Sequence, residues 1–267
     1  MSTNILAKII ESKFGEVADR KMQISTKQLE AMPLFAKKCL SLKANLLDRS
    51  KTGIIAEFKR QSPSKGMINA VADVNEVTKA YSDFGAAGVS VLTDGPYFGG
   101  SLADLSIAIQ NPIPVLRKEF IIDEFQLIEA KAYGASVILL IAACLTPDKT
   151  HALAKFAKSL GLEVLLEIHD ATELGHISET VDFVGINNRS LKSFEVNIEH
   201  SLALKHQLPK GILSVAESGI YSVDTFKLLK KEGFDGFLMG EYFMKQANPA
   251  AAFEAFVTSI KTENDAV

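Results

Sequence analysis

The sequence contains no tryptophan and only two cysteines, Cys39 and Cys144, among its 267 residues. The missing tryptophan excludes strong intrinsic fluorescence. Two cysteines are too few for the disulfide framework of a small secreted protein, and no histidine lies near either of them at zinc-ligand spacing. We therefore expect a chain that folds in the reducing cytoplasm and holds no structural metal.

Long apolar runs are also missing. The longest run, residues 137–145, has about half of the roughly 20 residues that a membrane-spanning helix needs. Residues 1–14 are interrupted by Lys8, Glu11 and Lys13, so they lack the apolar core of a signal peptide. We expect no membrane contact and a cytoplasmic location.

Neither sign of charge is in excess, since 29 Lys and Arg residues stand against 32 Asp and Glu residues, for a net charge of −3. Proteins that bind nucleic acid usually show a clustered basic excess, so we expect no nucleic-acid partner. The 47% of hydrophobic residues and 23% of charged residues exclude a largely disordered chain.

What the sequence does contain is a repeat of short apolar runs separated by longer amphipathic stretches. The eight runs are residues 54–56, 89–92, 115–116, 137–141, 164–166, 183–186, 213–216 and 237–239. Runs that are apolar nearly throughout are typical of parallel strands buried on both faces. Their mean spacing of about 26 residues fits a strand, a loop, a three-turn helix and a second loop.

Residues typical of helix starts and helix ends support this repeat. The amphipathic stretches begin at Pro147 or at Ser222, for example, and they end at glycines a few residues before the next strand. These glycines are Gly85, Gly134, Gly161 and Gly233. Eight such units predict an α/β protein, a closed (β/α)₈ TIM barrel over residues 52–262. The main alternative is an open doubly wound sheet, which the absence of a Gly-x-Gly-x-x-Gly turn disfavours.

Residues 1–50 do not fit the repeat. Ile5, Leu6, Ile9, Ile10 and Phe14 recur at helical spacing, and a second helical stretch is predicted for residues 33–47. This segment is too short for an independent core, so we expect an N-terminal helical extension whose apolar stripes pack on the barrel. Residues 1–267 are then expected to form a single domain.

Polar residues stand at the ends of several predicted strands. They are Glu57, Lys59, Lys118, Glu167, Asn187, Arg189 and Glu217. In a barrel the carboxyl ends of all strands meet at one mouth, where catalytic groups of this fold lie. The alternative is a set of solvated loop residues and structural ion pairs, but so many charges in one mouth are costly to desolvate unless they serve a ligand. The pattern predicts acid–base chemistry on a polar substrate, with lysines as acids and a glutamate as base.

The turns after the last two predicted strands contain residues typical of a phosphate-binding site. Ser218 and Gly219 precede a helix, and Gly240 and Glu241 begin another short turn. Small residues allow backbone N–H groups to approach a phosphate, and helix N-termini favour its charge. A glycine at a strand end is also an ordinary tight turn, so either glycine alone is weak support. Phe98, in the loop after the second strand, is a candidate aromatic wall, although aromatic loop residues mostly just pack.

Five motifs together resemble the indole-3-glycerol-phosphate synthase family over essentially the whole chain. They are IIAEFKRQSPS at 54–64, LRKEFI at 116–121, LEIH at 166–169, GINNRSL at 185–191 and VAESGI at 215–220. The resemblance implies a carboxy-lyase of tryptophan biosynthesis. Its reaction would be ring closure, decarboxylation and dehydration of 1-(2-carboxyphenylamino)-1-deoxyribulose 5-phosphate to indole-3-glycerol phosphate, without a metal or organic cofactor.

The resemblance also implies a role for each matching residue. Lys118 looks like the general acid, Glu167 like the carboxylate that stabilises cationic charge and transfers protons, and Lys59 like a substrate-holding second acid oriented by Glu57. Substrate contacts would come from Asn187, Arg189, Glu217 and Phe98. The phosphate would be received by Ser218, Gly219, Gly240 and the backbone of Glu241. Many relatives have Ser at position 241, and some have Asn at His169, to which we assign no role.

Three other functions stay open at this point. A phosphoribosylanthranilate isomerase-like barrel would share the phosphate glycines but not the motif around Lys118. A Schiff-base aldolase would use Lys118 as a nucleophile, and a non-catalytic barrel would only bind a sugar phosphate. All of them imply a small-molecule partner, and the sequence leaves the oligomeric state open. The loop at residues 61–69 is a candidate lid over the substrate.

Overall fold

The computed structural model describes residues 5–190 and 195–262, so Leu191, the last residue of the 185–191 motif, lies outside the described residues. Eight parallel strands close into a barrel in the order β1-β8-β7-β6-β5-β4-β3-β2, and β2 pairs with β1 to complete the ring. They are β1 (Ile54–Phe58), β2 (Gly88–Leu92), β3 (Val115–Lys118), β4 (Val137–Ile141), β5 (Glu163–Ile168), β6 (Phe183–Asn187), β7 (Leu213–Glu217) and β8 (Gly236–Met239). The predicted TIM barrel is therefore confirmed, and each apolar run falls within one strand.

Helices surround the barrel and cover its ends. They are α1 (Ile5–Gln23), α2 (Thr26–Glu30), α3 (Leu42–Leu47), α4 (Val74–Asp83), α5 (Gly95–Phe98), α6 (Leu102–Ala108), α7 (Glu124–Ala132), α8 (Pro147–Ser159), α9 (Ile198–Lys205), α10 (Val223–Lys231), α11 (Glu241–Met244) and α12 (Pro249–Thr262). The four glycines predicted to end helices all have left-handed φ, from 76° at Gly161 to 87° at Gly85. Helix starts are also as predicted, since α8 begins at Pro147 and the Ser222 hydroxyl caps α10.

One connection departs from the repeat. Between β5 and β6, the described residues form only a 3₁₀ helix, Ala171–His176, instead of the predicted three-turn helix. The two ring nitrogens of His176 lie 3.0 Å from the carbonyl oxygens of Glu173 and Leu145, and a protonated ring nitrogen donates to its carbonyl. This short helix is thereby held against the preceding connection, which starts with a second 3₁₀ helix, Ala142–Cys144.

The strand alternation divides the core into two layers. Side chains such as Ile55, Leu116 and Leu165 fill the inside of the barrel, while the alternate residues pack between the strands and the surrounding helices. Because side chains alternate along a strand, the same phase that puts Ile55 inside also puts Glu57 inside, one step nearer the carboxyl end. The barrel interior is therefore apolar towards the amino ends of the strands and charged at their carboxyl ends.

The N-terminal extension covers both ends of the barrel. Leu6 and Ile9 of α1 pack with the interior layer at the mouth, whereas Leu42 of α3 lies against Gly88 at the amino end of β2. The predicted helix at residues 33–47 is wrong in its first half, because α3 begins only at Leu42. Ser41 starts this new helix, since its side-chain oxygen accepts the N–H of Ala44 and donates to Glu163.

The packing face of α1 also differs from the predicted stripe. Its buried residues are Leu6, Ile9, Lys13 and Val17, and Phe14 is 63% exposed. The buried spacing is helical, as expected, but a lysine occupies the inner position next to the one assigned to phenylalanine. What holds this lysine inside is described below.

Candidate active site

An open cavity lies at the carboxyl ends of the strands, and we call it the mouth cavity. Its empty volume, including the opening, is about 1180 Å³. The residues that the sequence singled out and that line it are Glu57, Lys59, Phe98, Lys118, Glu167, Asn187, Arg189, Glu217, Ser218, Gly219, Gly240 and Glu241. The structure thus brings all twelve together, although they come from seven different strand ends.

Lys118 is the centre of the charged half of the cavity. Its Nζ lies 3.0 Å from Glu167 Oε2 and 3.6 Å from Glu217 Oε2. The other oxygen of Glu167 accepts a hydrogen bond from Asn187 Nδ2 at 3.0 Å. Oε1 of Glu217 is buried and has no hydrogen-bond partner among the described residues. An unmatched polar atom of this kind is costly, so the described protein groups alone do not satisfy this cluster.

Proximity and burial set the charges of these three groups. Burial lowers the pKa of Lys118, but the carboxylates of Glu167, Glu217 and Glu57 outweigh that effect and hold the pKa well above its ordinary range. Burial raises the pKa of Glu167, yet the Lys118 ammonium, His169 and the hydrogen bond from Asn187 together bring the pKa below its ordinary value. For Glu217, burial and the nearby charge of Glu167 together raise the pKa, against the attraction of Lys118. The cavity therefore holds an ammonium, a carboxylate and a carboxyl group that tends to keep its proton.

A second lysine–carboxylate pair lies on β1. Lys59 Nζ is 2.6 Å from Glu57 Oε1, and both side chains face the cavity while Phe58 packs outward, as the two-residue period predicts. A Cβ at Gly240 would lie 2.8 Å from Glu57 Oε1. Glycine at this position therefore leaves room for the Glu57 carboxylate at the end of β8.

Arg189 bridges the opposite side of the mouth. Its Nη2 lies 2.9 Å from Glu241 Oε2 and donates to the hydroxyl of Tyr221 at 2.6 Å. Its backbone N–H donates to Asn187 Oδ1 at 3.0 Å. The Arg189 guanidinium thus neutralises the carboxylate of Glu241. The side chain of Glu241 therefore does not repel an anion that approaches the backbone N–H of the same residue.

The turn after β7 has an uncommon backbone. Ser218 has φ 64° and Gly219 has φ 72°, so two successive residues are left-handed. A Cβ at Gly219 would lie 2.4 Å from Val196 Cγ1, which together with the φ explains the glycine. The structure records no hydrogen bond from the N–H of Gly219 or Gly240 to another described residue. Successive N–H groups in such a turn form a concavity suited to an anion.

The other half of the cavity is apolar, and sequence reasoning found only Phe98 in it. The remaining apolar lining includes Ile5, Leu6, Ile9, Phe120, Leu139 and Ile141. The rings of Phe98 and Phe120 are 6.0 Å apart. The helical stripe of α1 was visible in the sequence, but nothing local showed that it would lie over the strand ends rather than on the outer helices.

The predicted lid loop and His169 both lie at the edge of the site. Ser62, Pro63 and Ser64 line the cavity from a two-stranded hairpin, Gln61–Ser62 and Gly66–Met67, that forms part of the predicted lid loop. His169 Nε2 lies 3.8 Å from Glu167 Oε1, and both ring nitrogens are buried without a hydrogen bond to any described residue. Within residues 5–190 and 195–262, no cluster of three His, Cys, Asp or Glu side chains suits a metal ion. No helix in these ranges is long and apolar enough to cross a membrane.

Solved structures with a similar fold include two at 15% sequence identity. Thiamine phosphate pyrophosphorylase from Pyrococcus furiosus superimposes with a TM-score of 0.57 over 83% of this chain and 100% of its own. The 3-hexulose-6-phosphate synthase from Salmonella typhimurium gives a TM-score of 0.59 over 78% of this chain and 98% of its own. At this identity the likeness shows the barrel fold alone.

Sequence comparison is more specific. The family model for indole-3-glycerol phosphate synthase matches residues 6–256. Among proteins of that name, one from Bacteroides thetaiotaomicron is 46% identical over 261 residues, 97% of this chain and 99% of its own. One from Koribacter versatilis is 41% identical over 261 residues, 96% of this chain and 100% of its own. The chain belongs to the indole-3-glycerol phosphate synthase family.

Proposed function

We propose that the protein converts 1-(2-carboxyphenylamino)-1-deoxyribulose 5-phosphate into indole-3-glycerol phosphate, CO₂ and water, as a carboxy-lyase of tryptophan biosynthesis. The family assignment supports the reaction. The observation that carries the residue roles is the partly buried Lys118 ammonium, which lies against Glu167 and Glu217 in a cavity with one apolar half and one turn suited to an anion. A cytoplasmic location, expected from the two unpaired cysteines, belongs to the same proposal.

Lys118 is the general acid of the ring closure. It donates a proton to the substrate carbonyl while the aromatic carbon attacks, so negative charge never has to accumulate on that oxygen. Because its pKa is raised, it is an ammonium before substrate arrives. An ammonium is a proton donor and a poor nucleophile, which disfavours the Schiff-base aldolase.

Glu167 and Glu217 divide the remaining proton work. Glu167, with its lowered pKa, is the anion that stabilises cationic charge on the substrate nitrogen and then accepts a proton during dehydration. Glu217 tends to keep its proton because its pKa is raised, so it is suited to hydrogen-bonding a hydroxyl group of the substrate. Asn187 holds Glu167 from the other side and completes this arrangement.

The two ends of the substrate contact opposite sides of the mouth. Lys59, oriented by Glu57, holds the carboxylate that leaves as CO₂ and serves as a second acid. Phe98 and the neighbouring apolar residues pack against the aromatic ring. The phosphate lies at the turns after β7 and β8, where Ser218, Gly219, Gly240 and the backbone of Glu241 donate to it and Arg189 adds positive charge. Since every step uses a side chain or backbone group of the cavity, the proposal needs no cofactor.

The missing tryptophan makes this function simple to test. When the substrate is added to the folded protein, indole emission should rise from a background with no tryptophan signal. In Lys118→Ala the turnover number should fall by ~10²–10⁴, the usual contribution of a positioned acid. No emission from the wild-type protein would refute the reaction, and full activity in Lys118→Ala would refute the role of this lysine. Borohydride that inactivates the enzyme only with substrate present would restore the Schiff-base alternative.

A further inference from the structure

A second buried lysine lies outside the mouth cavity, on the inner face of α1. Lys13 is 1% exposed, and its Nζ contacts three carboxylates, at 2.7 Å from Glu16, 2.9 Å from Asp94 and 3.0 Å from Glu119. Glu16 belongs to the same helix and is 41% exposed, whereas Asp94 and Glu119 follow β2 and β3 and are buried. Lys13 therefore ties the N-terminal helix to two strand ends of the barrel.

Glu119 connects this lysine with the catalytic strand. It is the residue after Lys118, and its Oε1 accepts the backbone N–H of Phe120 at 2.8 Å. Its Oε2 accepts the hydroxyl of Thr93 at 2.7 Å. With both oxygens engaged and Lys13 against the first, the backbone that follows Lys118 is held in one position.

The residue before Lys118 is held in a similar way. Arg117 donates to Thr93 at 3.1 Å and lies 2.8 Å from Glu129 Oε2, away from the cavity. The other oxygen of Glu129 accepts from Arg20 of α1 at 2.8 Å. Both neighbours of Lys118 are thus linked to α1 through charged hydrogen bonds.

The contact between Lys13 and Asp94 also links α1 to Phe98 and Phe120, the aromatic wall of the cavity. Asp94 Oδ1 accepts the backbone N–H of Tyr97 at 2.8 Å and caps α5. That helix carries Phe98, whose ring faces Phe120 across 6.0 Å. The oxygen left over, Oδ2, is the one that contacts Lys13. One ammonium therefore steadies the turns that carry Phe98 and Phe120 as well as the end of β3.

We propose that Lys13 is a positioning residue of the active site, through which the N-terminal helix fixes Lys118 and the aromatic wall in the geometry that the reaction needs. The inference rests on the proposed role of Lys118. Buried charges are costly unless they are paired and hydrogen-bonded. In this network, both oxygens of Asp94 and both oxygens of Glu119 have partners. A displacement of about 1 Å at a catalytic group can reduce turnover by ~10²-fold, so a network that prevents it has a direct effect on rate.

The test uses full-length variants and the indole emission assay, at a temperature where circular dichroism shows each variant folded. Lys13→Met should lower the turnover number by about tenfold or more, since Glu119 and Asp94 lose their shared counter-ion. Lys13→Arg, which keeps the charge, should recover most of the loss. Glu16→Ala is the matched control: it removes a carboxylate from the same ammonium, but one that touches no strand end, and it should change turnover by less than about twofold.

Glu119→Ala tests whether the network positions Lys118, and it tests the inference even if Lys13→Met does not fold. Lys13 keeps Asp94 and Glu16 in this variant, yet the turnover number should fall by about tenfold and by a larger factor than KM rises, because Lys118 acts in the chemical step. Turnover at the level of Glu16→Ala, in folded Lys13→Met or in Glu119→Ala, would overturn the inference. A wild-type protein that forms no indole product would instead refute the proposed function.

Discussion

The protein buries two lysines among carboxylates, and the two clusters differ in how complete they are. Around Lys13, three carboxylates lie within 3.0 Å of one ammonium and the side chain is 1% exposed. Around Lys118, the second carboxylate is 3.6 Å away, Glu217 Oε1 has no partner among the described residues, and the side chain is 14% exposed. Buried networks that are fully satisfied add rigidity, whereas partly satisfied ones are costly. The first cluster is therefore complete within the folded protein, and the second leaves one oxygen for the substrate that we propose binds there.

This difference predicts unequal losses of stability for the same substitution at the two lysines. Lys13→Met leaves Asp94 and Glu119 as buried carboxylates without a counter-ion, so the free energy of unfolding should fall by about 3–5 kcal/mol. Lys118→Met should cost less than half of that, because Glu217 already tends to hold a proton and Glu167 keeps the hydrogen bond from Asn187. Urea unfolding followed by circular dichroism at neutral pH measures both. A loss for Lys118→Met as large as for Lys13→Met would show that the mouth cluster is also structural.

The pH dependence of stability sharpens the comparison at the mouth. Because the pKa of Glu217 is raised in the folded protein above its ordinary 4.5, the folded state binds a proton that the unfolded state has released. Its contribution to stability is complete below pH 4.5 and is lost as the pH rises through the raised pKa. Wild-type protein should therefore lose stability from about pH 5 upward in a way that Glu217→Gln does not.

The reference for this measurement is Glu16→Gln, which alters a half-exposed carboxylate of the Lys13 cluster. Melting temperatures of the three proteins across the same pH range give the result. If wild-type and Glu217→Gln show parallel curves, Glu217 is ionised in the empty cavity, and its proposed hydrogen bond to a substrate hydroxyl would be wrong.

The two clusters also show what sequence can predict about this molecule. Strand residues alternate with a fixed period, so eight apolar runs were enough to predict the barrel and to place Lys118, Glu167 and Glu217 at one end of it. Lys13 was not predicted to be buried, because its partners Asp94 and Glu119 are distant in the chain and nothing local marks them. The same distant contacts place Lys13 on the inner face of α1, and Phe14, the next residue, then points to solvent. The catalytic and binding roles themselves stay predictions until variants are measured.

The smallest effect comes from a pair with similar geometry on the surface. Lys158 lies 2.7 Å from Asp182, as close as Lys13 lies to its partners, but its side chain is 38% exposed. Water and salt screen such a pair, so Lys158→Met should change the free energy of unfolding by no more than about 1 kcal/mol, and less at high salt. Asp182 stays satisfied in this variant, since it also accepts the backbone N–H of Val164. Urea unfolding of Lys158→Met beside Lys13→Met then compares two lysines at similar distances from their partners that differ in burial and in the number of carboxylates. Equal costs would mean that neither burial nor the number of partners sets the strength of these pairs. The distinction between Lys13 and Lys118, the proposed general acid, would then have to rest on their positions in the barrel and not on how completely each is enclosed.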